Sequence, residues 1–237
     1  MEKKLVVSDY DRTLYLNDSD IKINTEIIKK FRANNNFFIV ATGRSLYHFN
    51  IMKEKYNINY DFLILNHGAE IRDNKNNLIY YETIDNDIKN QLINKIDIEN
   101  TIDNLNFTLD KSFTNINDKN LIKINLKYKT YENAIKIRDN LNKEYKDYIN
   151  CYYVNNNAIE IISNKTNKSY AINILKDKLN IEDKNIYVIG DGYSDFEMIK
   201  DFNGYCMENS IDCIKEVAKK EYSSVSELIK DIINEKV

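Results

Sequence analysis

Five short apolar runs, at residues 4–8, 37–41, 62–65, 185–189 and 204–207, are separated by stretches with helical spacing. Runs of four or five residues without polar alternation suit strands buried on both faces. In the intervening stretches the apolar residues fall on one helical face. Residues 25–34 carry Ile27, Ile28 and Phe31, and 45–56 carry Leu46, Phe49, Met52 and Tyr56. Further on, 168–179 carry Ala171, Ile174, Leu175 and Leu179, and 194–202 carry Phe196, Ile199 and Phe202. Strand–helix alternation of this kind predicts an α/β fold with a parallel-sheet core wrapped by helices.

The middle of the chain has a different rhythm. Residues 121–128 alternate strictly, with Ile122, Ile124, Leu126 and Tyr128 set against Lys123, Asn125 and Lys127. That pattern predicts a strand with one wet face. Residues 152–154 and 158–162, joined by Asn155, Asn156 and Asn157, predict a hairpin, and 131–145 an amphipathic helix. An α+β domain over 83–164 is therefore expected as an insertion into a core formed by 1–82 and 165–237. A chain of 237 residues has room for both.

Bulk charge narrows the partners. With 30% charged residues and a net charge of −3, the chain has neither a basic excess for nucleic acid nor a polybasic membrane patch. No apolar run approaches the ~20 residues of a spanning helix, and the first run is too short for a secretory signal. A cytoplasmic protein, a monomer or small homo-oligomer without nucleic-acid or membrane partners, is the expectation. Cys151, Cys206 and Cys213 form no CxxC pair and read as reduced, buried thiols.

Glycine is scarce: five residues, where an average chain of this length has roughly seventeen. Four of the five lie just beyond an apolar run, where a backbone needs unusual torsions or close approach. Those places carry the polar residues of interest. "DYDRT" follows the first run, "ATGRS" follows the second, "NKTNKSYA" leads into the helix at Lys168, and "GDGYSDFEM" follows the run at 185–189. In open α/β sheets, sites form at the carboxyl ends of strands. Asp9, Asp11, Asp191 and Asp195 make an acidic set, and Asp9 with Asp191 would suit Mg²⁺, a hard cation that prefers oxygen ligands. Thr42, Lys168 and the backbone amides around Gly43 and Arg12 make a complementary set for phosphate. Each residue alone has an ordinary structural reading as a cap, a turn or a solvated charge. Ser194 and Glu197 are spaced as a capping box, and Lys165 competes with Lys168.

In this order and at these boundaries, the four segments resemble the four motifs of the haloacid dehalogenase-like hydrolases. "ILNHGAEI" is similar to the stretch before the inserted cap of the Cof-type, subfamily IIB branch, and "GYCMENS" to that branch's next strand and turn. The resemblance implies a Rossmann-like core with a type C2B cap and a Mg²⁺-dependent phosphatase acting on a small-molecule phosphate ester such as a sugar phosphate. It implies Asp9 as nucleophile, forming an aspartyl-phosphate, and Asp11 as general acid and base. Asp9, the Asp11 carbonyl, Asp191 and Asp195 would hold the metal. Thr42, Gly43 and Lys168 would bind the phosphoryl oxygens, with Arg44 and His67 as further substrate candidates. Two departures stand out: Arg12 replaces the family's commoner glycine, and Ser194 its commoner asparagine. The rival readings are a phosphomutase on the same scaffold, a signalling receiver domain and an inactive phosphate-ligand binding protein.

Overall fold

The structure, a computed structural model, describes residues 2–96 and 100–237. The chain forms two compact units, Met1–Ile79 with Lys168–Val237, and Tyr80–Asn167.

In the first unit the expected strands form β1 (Leu5–Asp9), β2 (Phe37–Ala41) and β3 (Phe62–Leu65). An antiparallel return follows, β4 (Glu70–Asp73), and then β5 (Leu78–Tyr81), along which the chain passes from the first unit to the second. The helices between them are α1 (Asp18–Ala33) and α2 (Leu46–Tyr56). α1 begins at Asp18 rather than at residue 25. Asn17 caps it by accepting from the Ser19 and Asp20 amides, and acidic residues in its first turn complement the helix dipole.

The second unit contains α3 (Asn86–Ile93), β6 (Thr101–Phe107), β7 (Ser112–Thr114), β8 (Lys123–Tyr128), α4 (Tyr131–Glu144), β9 (Ile149–Val154) and β10 (Ala158–Ser163). Among the described residues its sheet runs β7-β6-β8-β10-β9. β9 and β10 form the expected hairpin, and the turn places Asn156 and Asn157 at positive φ. The core gathers Leu92, Ile124, Leu126, Ala134, Leu141, Ile159 and Ile161. The other face of β8, which its alternation predicts to be wet, is only partly so: Asn125 and Lys127 are half-buried, and Lys123 is buried. Lys123 is 2% exposed, its Nζ 2.8 Å from Glu160 Oε1, which also accepts from Asn125 Nδ2. Alternation marks a polar face, and a paired charge lets that face be buried.

Back in the first unit come α5 (Lys168–Leu179), β11 (Ile186–Gly190), α6 (Phe196–Asp201), β12 (Asn203–Met207), α7 (Asp212–Lys215), β13 (Glu221–Tyr222) and α8 (Val225–Ile233). The sheet order is β13-β12-β11-β1-β2-β3-β4-β5, parallel from β13 through β3. Val6 and Tyr10 join one core with Ile21, Ile28 and Phe31 of α1, Phe49 of α2, and Leu228, Ile229 and Ile232 of α8. Strand alternation sends Asp9 to the opposite face. The chain leaves β1 toward β2 and later returns to pair β11 on its other side. β1 is thus the topological switch point, and the ends of β1, β2 and β11 converge there. Among the described residues, no helix is long and apolar enough to cross a membrane.

Candidate active site

β1 ends on Asp9 and pairs in register with β2, Asp9 opposite Ala41, so Thr42 begins the loop beside it. The first residue of α5, Lys168, is 1% exposed, and its Nζ lies 2.6 Å from both Asp9 Oδ1 and Asp195 Oδ1. The other oxygen of Asp195 accepts from the amides of Asp191 and Gly192, each at 3.0 Å. This tight turn explains Gly190, where a Cβ would overlap the Asp195 carboxylate. It also replaces the Ser194–Glu197 capping box suggested by spacing: a 3-10 turn at Tyr193–Asp195 precedes α6, and the Asp195 carboxylate accepts from the Gly192 amide at the start of that turn. Asp191 Oδ1 accepts from Thr13 Oγ1 at 3.0 Å, and its Oδ2 lies 3.5 Å from Arg12 Nη1.

Asp9, Asp191 and Asp195 are all buried, and each offers an oxygen within 4.8 Å of the others. Three carboxylates thus face one fully buried ammonium. Burial pushes Asp9 well above the usual carboxylate range against the pull of Lys168, with Asp195 and Asp191 adding to the rise. Burial and the neighbouring Asp195 raise Asp191 to about 6, with Arg12 and Thr13 opposing. Burial would depress Lys168, but Asp195 and Asp9 outweigh it and hold the lysine charged. The surplus negative charge and the all-oxygen donor set fit a hard divalent cation. Asp9 and Asp191 would hold it most directly, because Asp195 already accepts on both oxygens.

The remaining expected residues take other places. The side chain of Asp11 lies outside the carboxylate triad, in a bidentate pair with Arg44 Nε and Nη2 at 2.8 and 2.6 Å. The Arg44 guanidinium in turn sits 5.2 Å from the centre of the Tyr10 ring. Thr42 is fully buried. Its amide donates to the Ile64 carbonyl, and its Oγ1 accepts from the Arg44 amide at 3.1 Å, tightening the loop into α2. His67 is buried and its amide donates to the Thr42 carbonyl; a Cβ on Gly43 would overlap its ring. It occupies a turn in which Asn66, His67 and Gly68 all have positive φ. His67 therefore supports the Thr42–Gly43 loop from behind. Thr13, Asn209 and Ser210 were not singled out by sequence. Asn209 Nδ2 donates to the Arg12 carbonyl and Ser210 Oγ to the Gly190 carbonyl. Thr13 closes the "DYDRT" stretch, the one signal that pointed to it.

Residues 6–118 and 103–228 match the sequence profile of the haloacid dehalogenase-like hydrolases. A protein of Mycoplasma capricolum, named only "Uncharacterized protein", is 33% identical over 241 residues, covering 84% of this chain and 88% of that one. A protein of Buchnera aphidicola from Baizongia pistaciae, named "Putative phosphatase", is 25% identical over 261 residues, covering 94% and 95%. A solved structure described as that of a subclass IIB sugar phosphatase of the same superfamily shares the fold, with a TM-score of 0.77 at 15% identity over 97% and 99% of the two chains.

Proposed function

Because this chain belongs to the haloacid dehalogenase-like hydrolases, we propose that it is a Mg²⁺-dependent phosphatase of small phosphomonoesters, sugar phosphates among them. The observation that carries this reading is the buried lysine bridging two of three clustered carboxylates where β1 and β11 end. Asp9 commits one oxygen to Lys168; its other oxygen accepts no hydrogen bond among the described residues, so the carboxylate is not saturated and can attack phosphorus. The attack forms an aspartyl-phosphate and releases the leaving oxygen. Asp11 protonates that oxygen and then takes a proton from the water that hydrolyses the intermediate. Its pairing with Arg44 opens for this purpose, since a carboxylate locked in a bidentate ion pair is a poor proton donor. Thr42, the Gly43 amide and Lys168 position the phosphoryl oxygens, the chief requirement of phosphoryl transfer. Mg²⁺, held by Asp9, the Asp11 carbonyl and Asp191 with Asp195 in support, would supply charge neutralisation. The unit Tyr80–Asn167 is assigned the role of cap and of leaving-group selection.

The test is phosphate release from sugar phosphates, pyridoxal phosphate, flavin mononucleotide and an aryl phosphate, with and without Mg²⁺, for the wild type and Asp9→Asn. Mg²⁺-dependent release lost in Asp9→Asn is expected. Release that persists in Asp9→Asn overturns the nucleophile, and release that appears only with a bisphosphate activator points to a phosphomutase.

A further inference from the structure

Arg12 lies between Asp11 and Thr13 with φ at 64°, a conformation that glycine adopts without penalty and arginine does not. The loop keeps an arginine there, and its guanidinium is fixed in place. Nη2 donates to the Asn209 carbonyl at 3.0 Å, and Asn209 Nδ2 donates back to the Arg12 carbonyl at 3.1 Å. The turn that follows β12 is tied in its own right to the end of β11. Ser210 Oγ donates to the Gly190 carbonyl and the Ile211 amide to the Asp191 carbonyl, each at 3.2 Å. This clasp leaves Nη1 at 3.5 Å from Asp191 Oδ2, with the Arg12 side chain 48% exposed and that of Asp191 7% exposed.

We infer that Arg12 is a positioning residue which competes with the divalent cation for Asp191, holding that carboxylate in place between metal-binding events and weakening metal affinity. The inference rests on the metal reading proposed above. A fixed positive charge on the outer oxygen of a carboxylate opposes a dication approaching the same group. One unit charge against a dication across a single carboxylate, in a nearly aqueous dielectric, changes affinity about tenfold. The exposure of Arg12 places it in that screened regime.

The experiment is calorimetric titration of the full chain with MgCl₂, without substrate, for the wild type, Arg12→Gly and Arg12→Lys. Glycine suits the positive φ, so Arg12→Gly removes the charge without straining the loop. Melting temperatures in chelator check that each variant is folded. The expected result is Mg²⁺ binding about tenfold tighter in Arg12→Gly, with Arg12→Lys closer to the wild type than Arg12→Gly because the charge remains. Wild-type binding that Arg12→Gly leaves unchanged or weaker overturns the inference while sparing the metal reading. Equal tightening in Arg12→Lys overturns it too, because loop geometry rather than charge would then be responsible. Absence of binding by all three proteins overturns the metal reading and the inference together.

Discussion

Lys168→Met tests the electrostatic core of the site independently of any turnover. Methionine matches the length of the lysine stem but removes the ammonium that bridges Asp9 and Asp195 at 2.6 Å each. Removing one partner of a buried ion pair costs about 3–5 kcal/mol, because the charge left behind is uncompensated. For a chain of this length each kcal/mol moves the melting temperature by about 2–4 °C, so a loss of ~4 kcal/mol lowers it by about 8–16 °C. The deficit should depend on pH in a defined direction. Asp9 and Asp191 already bind protons more tightly in the folded state than carboxylates ordinarily do, and losing Lys168 strengthens this. A carboxyl group with a raised folded pKa destabilises the fold where it is charged, above that pKa. Stability returns as pH falls through it. The gap between wild type and variant should therefore be widest near pH 8 and narrow toward pH 5. Thermal melts followed by circular dichroism in chelator would measure it. A drop below about 2 °C, or a gap that is the same at pH 5 and pH 8, would refute the reasoning.

Three further outcomes are expected. Mg²⁺ should raise the wild-type melting temperature at pH 7.5 and progressively less on acidification through pH 6, because Asp191, raised to about 6, must lose its proton to bind the ion; an increment that grows at low pH would contradict the metal site. Gly43→Ala should destabilise the fold by about 1–3 kcal/mol through overpacking, since its Cβ meets the His67 ring, and the double variant with His67→Ala should recover part of that loss in urea unfolding. Asp11→Asn should slow phosphate release about 10²–10⁴-fold for alkyl phosphates. An aryl phosphate, whose leaving group needs no proton, should be less affected in the first half-reaction, which a burst of released phenol would reveal.

How much of this was legible in the sequence depends on the length scale of the feature. The ends of β1, β2 and β11 were legible because an apolar run stops abruptly at Asp9, Thr42 and Asp191, and a local pattern suffices to see it. The start of α1 was less visible: its N-terminal turn is polar and solvent-facing, and only the Asn17 cap marks it. The burial of Lys123 depended on Glu160, a partner 37 residues away, and alternation along one strand carries no information about it. Arg12 and Asn209 are separated by 197 residues, so their reciprocal clasp could not be read from either neighbourhood.

The deepest limit concerns the aspartates themselves. Four residues of one type sit in two short motifs, and composition and spacing treat them alike. The fold separates them by what each oxygen accepts. Asp195 is saturated by Lys168 and two backbone amides, which in the proposed mechanism leaves it to orient rather than to react. Asp11 is committed to Arg44 at the half-exposed edge. Asp191 accepts from Thr13 on one oxygen and meets the Arg12 guanidinium at the other, so it is held but not saturated. Asp9 keeps one oxygen uncommitted in a buried, desolvated position, which suits a nucleophile. The division of labour proposed for these chemically identical side chains thus follows from hydrogen-bond saturation. It arises from tertiary packing that brings α5, the Tyr193–Asp195 turn and the β1 loop onto the same three carboxylates.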